Sequence, residues 1–192
     1  MLLRSYSDRE FDAPFPLKMR KLSSTHWTPV GIAKKAISFL ESAGCKSVLD
    51  LGSGLGKFCL IAADSAGIKI SGIEQRENLV QLARKIAVNH QLSNLEFIHG
   101  DLISLDFRDF DGFYFFNSFE ENINSKDSLD RQSNINSIQY EQYVLALRAK
   151  FDVLPIHTKI VTYCGEAAEI PESYRMVQQS HKGKLRFWEK QI

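Results

Sequence analysis

Asp50-Leu51-Gly52-Ser53-Gly54-Leu55-Gly56 sets a carboxylate two residues ahead of three glycines that recur at every second position. Glycine loses the most backbone freedom on folding, so three within five residues imply a turn or a close approach that side chains would obstruct. The spacing separates this turn from two phosphate-cradling patterns. In the dinucleotide fingerprint G-x-G-x-x-G the third glycine falls one residue later, and a P-loop needs G-x-x-x-x-G-K-[ST]. Lys57 does follow Gly56, but the earlier spacing and the hydroxyl are missing, so Lys57 reads as a solvent-facing residue.

A turn of this form suits a ligand that carries an amino acid and a nucleoside rather than a pyrophosphate. Asp50 would receive an ammonium group. Glu74 lies 24 residues further on and would accept from both hydroxyls of a ribose. Asp101, in "HGDL", would accept from an adenine exocyclic amine. Each has a plainer explanation: glycines for a turn alone, Glu74 as an acid at a helix start, Asp101 as an N-cap. Together, at three successive strand ends, they point to one site. His99 reads as packing or surface.

The elements that must hold these residues follow from periodicity. "KSVLDL" (46–51), "IKISGIE" (68–74), "NLEFIHG" (94–100), "DGFYFFN" (111–117) and "HTKIVTYCG" (157–165) read as strands. Helical patterns cover 56–66, 76–91 and 138–154, the last with Tyr140, Val144, Leu147 and Phe151 on one face. Another helix starts after Thr28 as N-cap with Pro29 at N1, and ends at Gly44 as C′. "YRMVQQSH" and "KLRFWEKQ" flank Lys182-Gly183 as a terminal β-hairpin. Strand–helix alternation implies a parallel sheet with helices on both faces. Residues 1–27 contain Pro14 and Pro16, show no period, and read as an irregular extension to one domain over 28–192. Residues 120–137 are polar and read as a loop or lid.

The chain has 192 residues and a net charge of +1, so no strong overall field points to nucleic acid or membrane. Two basic stretches stand out. Leu17 to Lys35 holds five basic residues and no acid; Tyr174 to the end holds five and one acid, Glu189. Cys45, Cys59 and Cys164 are odd in number and widely spaced, which suits buried reduced thiols of a cytoplasmic protein. There is no secretory leader pattern, no membrane-length apolar run and no metal-ligand cluster in the sequence.

The motifs carry a family resemblance. "VLDLGSGLG", "GIE" and "HGDL" resemble the first three motifs of class I, seven-stranded, S-adenosylmethionine-dependent methyltransferases. That resemblance implies an α/β, Rossmann-like three-layer sandwich whose mostly parallel seven-stranded sheet ends in an antiparallel hairpin. It implies S-adenosyl-L-methionine as cofactor, held by Asp50, Gly52, Ser53, Gly54, Gly56, Glu74, Gln75, Asp101, Leu102 and Asn117. It also implies that the chain before the first helix, through Thr25, Trp27 and Thr28, covers the methionine end.

The acceptor is read from "FFNSFEEN". Amino-adenine and some glutamine methyltransferases carry Asn/Asp-Pro-Pro-aromatic at this strand end; here Asn117-Ser118-Phe119-Glu120 lacks the prolines. The core wording over 48–119 is similar to the non-SET, Dot-type lysine methyltransferases. That likeness implies N-methylation of a protein side chain or small amine, with Asn117 and Phe119 at the target nitrogen. An aromatic channel would favour the neutral amine by desolvating its charged form. RNA methylation, supported by the basic stretches alone, is the less favoured alternative. A cofactor-binding module without catalysis is the third.

Overall fold

Ser47–Leu51 forms strand β1, whose side chains alternate between two apolar layers. Val48 joins one buried cluster, and Leu49 and Leu51 join the other. A strand covered on both faces in this way reads as a continuous apolar run, which is what "VLDL" is, Asp50 excepted. The computed structural model describes residues 3, 6–21, 23–116, 137–165 and 167–192. The other strands are β2 (Lys69–Glu74), β3 (Leu95–His99), β4 (Gly112–Phe116), β5 (Lys159–Tyr163), β6 (Tyr174–Ser180) and β7 (Leu185–Lys190). They make one sheet in the order β3-β2-β1-β4-β5-β7-β6. β1 to β5 are parallel; β7 runs antiparallel between β5 and β6. The expected sheet, hairpin included, is therefore present.

The helices are α1 (Asp8–Asp12), α2 (Leu17–Arg20), α3 (Ser23–His26), α4 (Val30–Ser42), α5 (Lys57–Ser65), α6 (Glu77–Asn89) and α7 (Ser137–Asp152). The buried faces of α4, α5 and α6 pack with Leu3, Phe11 and Phe15 into the first cluster. Leu147 and Phe151 of α7 join Phe107 and Phe113 in the second. Helices thus cover both faces. The chain leaves β1 outward through β2 and β3, then returns to β4 on β1's other side. The carboxyl ends of β1 and β4 flank the crevice where ligands bind in such sheets.

Three local expectations change. Residues 1–27 are not irregular: α1 to α3 lie there, and Ser7 and Glu10 form a capping box on α1. The prolines fall between these helices instead of inside them. The N-cap of α4 is Pro29, not Thr28, and it lacks a side-chain cap bond. Asp8 supplies it from a distance, its Oδ1 accepting the Val30 N–H at 2.9 Å. Gly44, at φ +90°, holds C′ as expected, with the Cys45 N–H donating to the Leu40 carbonyl.

The hairpin turn is longer than Lys182-Gly183, since Ser180 pairs with Leu185 and residues 181–184 span the gap. Residues 117–136 lie outside the described set. Asn117 and Phe119, and nearly all of the expected loop over 120–137, fall there.

Candidate functional site

β1 delivers Asp50 to the sheet's carboxyl end and the chain turns at once. Gly52, Gly54 and Gly56 all have positive φ, at 74°, 55° and 78°. Left-handed backbone explains the residue type at each, but the glycines do different jobs. A Cβ on Gly54 meets nothing within 4 Å, so this face of the turn is open. A Cβ on Gly56 would sit 2.4 Å from the Phe97 ring and 3.3 Å from the Ala83 methyl. Gly56 therefore makes room for β3 and α6, not for a ligand. The same logic singles out Gly72 on β2, beside Asp50. There a Cβ would lie 2.7 Å from Cys59 Sγ and 2.8 Å from Ser53 Oγ.

Asp50 is 4% exposed, and the Cys59 thiol donates to its Oδ2 at 3.2 Å. Burial pushes its carboxyl up to about 7. The Cys59 hydrogen bond works against that shift, and the charge on Glu74 adds to it. Burial raises the Cys59 thiol too, and Asp50's charge reinforces this. Next to them, buried Ser53 Oγ has no hydrogen-bond partner among the described residues. Tyr114, opposite Asp50 on β4, stacks on Phe58 at 3.8 Å and shares a 2.9 Å hydrogen bond with the Thr28 hydroxyl.

Glu74 ends β2 and is buried. Its Oε1 accepts from the Arg76 N–H and Nε, both at 2.9 Å. Its Oε2 accepts from the Gly54 N–H at 2.9 Å and Arg76 Nη2 at 3.2 Å. Four donors match the four lone-pair sites of a carboxylate. Gln75 is exposed, and its carbonyl meets exposed His99 Nε2 at 3.1 Å. Asp101, just beyond β3, is exposed. Its Oδ1 takes the Ile103 N–H at 2.9 Å and its Oδ2 the Tyr143 hydroxyl at 3.2 Å. Leu102 packs against the second cluster. Asp50, Glu74 and Asp101 thus sit at three adjacent strand ends, on one rim with the glycine turn.

In the segment before α4, expected to cover the methionine end, two side chains are buried within the chain. Trp27 is buried against Phe15, ring centroids 5.0 Å apart and edge to face. Thr28 is buried against Tyr114. Thr25 falls in α3, and its side chain lies outside the described set. Lys57 is not solvent-facing: it is 3% exposed, 2.8 Å from Asp8 and 2.9 Å from Asp12, with Phe11 and Trp27 rings within 6 Å. An ammonium this buried requires paired carboxylates. α1 supplies both, one of which also caps α4. Cys45 and Cys59 are buried and reduced as expected, but Cys164 is only half-buried.

Sequence reasoning missed Cys59, Arg76, Tyr114 and Tyr143. Arg76 was findable, two residues after an acid at a strand end. The others depend on register and packing. A groove of about 540 Å³ lined by Ala87, Val88, Leu92, Leu95 and Phe97 lies at the amino end of β3, away from the acids, and has no acidic lining. Among the described residues no cluster of metal ligands occurs, and no helix is long and apolar enough to cross a membrane.

A family model described as a methyltransferase domain matches residues 43–174. Among curated proteins, a stretch of 75 residues is 35% identical to the 23S rRNA (uracil(1939)-C(5))-methyltransferase RlmD of Shewanella denitrificans, covering 37% of this chain and 16% of that protein. RlmD of Francisella tularensis subsp. novicida is 34% identical over 89 residues, covering 46% and 19%. The chain thus spans less than a fifth of the length of these relatives. Two solved structures share the fold. An RNA methyltransferase from Salinibacter ruber with S-adenosyl-L-homocysteine has TM-score 0.59 at 21% identity, covering 86% of this chain and 95% of its own. TrmN from Thermus thermophilus has TM-score 0.63 at 17%, covering 89% and 52%.

Proposed function

Since the chain belongs to the methyltransferase-domain family, we propose that it transfers a methyl group from S-adenosylmethionine to RNA. The observation that carries the cofactor half is the set of three acids behind one open glycine turn. The local chemistry fits the group. Asp50 is a desolvated carboxylate whose thiol partner is a weak donor, and it would gain from an ammonium. Ser53 Oγ, unpartnered among the described residues, offers a further polar contact. The open face of Gly54 admits a ligand against the backbone.

Bound there, S-adenosylmethionine supplies a methyl carbon already activated by the neighbouring sulfonium. The protein's part is alignment and exclusion of water. Asp50 anchors the amino-acid end. Glu74 holds the ribose hydroxyls. Its carboxylate accepts from the Gly54 and Arg76 backbone N–H groups and from the Arg76 side chain, which fix it at the strand end where the ribose would be held. Asp101, with Leu102 beside it, receives the adenine edge. Gln75 adjoins Glu74 on the same rim. Gly52 and Gly56 shape the turn. Thr28 fixes Tyr114 through its hydroxyl and Trp27 packs on Phe15, so both would support the cofactor pocket from the segment before α4. Asn117 and Phe119 remain the proposed lining of the acceptor channel.

The names of the curated relatives support placing RNA ahead of the protein amine favoured from sequence. The family-level motifs stay, while the Dot-type likeness has no counterpart among the proteins compared above. RlmD is named for methylation of ribosomal RNA, and RNA is accordingly the favoured acceptor class here. A tritiated methyl donor incubated with the protein and total cell lysate tests this. Label removed by ribonuclease is expected. Label removed only by protease would restore the protein-amine reading, and no transfer despite cofactor binding would leave a binding module.

A further inference from the structure

We infer that the tip of the β6–β7 hairpin is an RNA-phosphate contact on the acceptor side of the site; this rests on the RNA reading above. The hairpin is the sheet's one antiparallel addition, and its turn points to the same rim as the glycine turn. Tyr163, the last residue of β5, pairs with Leu185, and the Cys164 N–H donates to the Lys184 carbonyl at 2.8 Å. The tip therefore lies three strand spacings from β1, roughly 14 Å along the carboxyl-end rim. An RNA strand laid along that rim to present a base at β1 and β4 passes over it.

The tip is cationic, and among the described residues its two lysines are uncommitted. From Ser180 to Trp188, around the turn, the chain has Lys182, Lys184 and Arg186 and no acid. Lys182 and Lys184 are exposed and make no ion pair with any described residue. Arg186 is half-buried and braces the turn, its Nε donating to the Gly183 carbonyl at 2.8 Å. The cations at the other end of the sheet's antiparallel edge are committed instead. Lys159 lies 3.3 Å from Glu189, and Lys190 donates to the Asp152 carbonyl.

The turn also holds His181 and Lys182 in an unfavourable backbone. His181 and Lys182 have φ of 53° and 57° and Gly183 of 81°, a left-handed backbone that Gly, Asn and Asp adopt more readily than Lys. Among the described residues no hydrogen bond or ion pair of the Lys182 side chain offsets that choice. The exposed ammonium it presents can neutralise a phosphate, which releases counterions from the nucleic acid.

The test uses the full chain, a fluorescein-labelled mixed-sequence single-stranded RNA, and fluorescence anisotropy across a salt series. Two phosphate contacts at about 0.7 each set the slope of log affinity against log salt, so Lys182→Ala/Lys184→Ala should lower it by about 1.4. Affinity at low salt should fall about tenfold. Calorimetric affinity for S-adenosylhomocysteine should not change, and Lys182→Arg/Lys184→Arg should keep the parental slope. An unchanged slope in the alanine variant, or a reduced one in the arginine variant, overturns the inference. If the parent shows no salt-dependent RNA binding but binds S-adenosylhomocysteine, the RNA reading itself fails. If the parent and the alanine variant bind RNA alike, only the hairpin contact fails.

Discussion

Replacing Asp50 by Asn isolates what it costs to hold a carboxylate inside the sheet. Burial is the main cause that lifts its pKa from 3.8 to about 7. Between those values the folded protein keeps a proton on Asp50 that the unfolded chain has released. Stability therefore falls as pH rises across this window, and the loss is complete above about pH 7. About three units at 1.36 kcal/mol each correspond to a loss of about 4 kcal/mol. Asn has nearly the same volume and no charge to desolvate. It brings a buried amide that costs about 1–3 kcal/mol at every pH if unpaired. The diagnostic is therefore the pH dependence of the difference between the two proteins. Urea unfolding followed from about pH 4 to about pH 8 should show Asp50→Asn gaining on the parent by about 4 kcal/mol over the series. The same variant should bind S-adenosylmethionine more weakly, because the ammonium loses its anionic partner. A difference in stability that stays constant with pH would refute the reasoning, since Asp50 would then not titrate in that window.

The glycines should separate by role: Gly56→Ala forces a methyl against the Phe97 ring at positive φ and should cost about 3 kcal/mol in denaturant. Gly54→Ala, whose methyl meets nothing, should cost only about 1 kcal/mol, yet weaken S-adenosylmethionine binding by about tenfold or more in calorimetry. Lys57→Met strands Asp12, which is 13% exposed, and should cost about 3 kcal/mol. Hydrogen exchange should show that loss as faster exchange in α1 to α3, with β1 still protected.

The sheet was legible because its strands are short apolar runs set off by helical patterns, and because three acids mark three strand ends. What was not legible depends on contacts between distant segments. Nothing near Lys57 in sequence predicts burial; its partners Asp8 and Asp12 sit more than forty residues earlier and were hidden in a stretch whose prolines suggested disorder of pattern. Thr28 looks like an N-cap by type and position, but Tyr114 claims its hydroxyl and Asp8 takes over the cap. The glycine run looked like one device for one ligand. The register of β3 against α6 gives Gly56 a packing reason, which no local pattern reveals. The acceptor was less legible because Asn117-Ser118-Phe119-Glu120 lacks the prolines that mark a base-methylating strand end, and the cofactor motifs do not constrain what is methylated.

The central claim is that the glycine turn and Glu74 hold S-adenosylmethionine. Titration calorimetry of S-adenosylhomocysteine into the parent and into Glu74→Gln tests it most directly. The account predicts binding by the parent and about a tenfold to hundredfold loss in the variant, from charge-assisted bonds to the ribose worth about 1.5–3 kcal/mol. The variant should remain folded by circular dichroism. Equal affinity in the two folded proteins, or no binding by the parent, would contradict it.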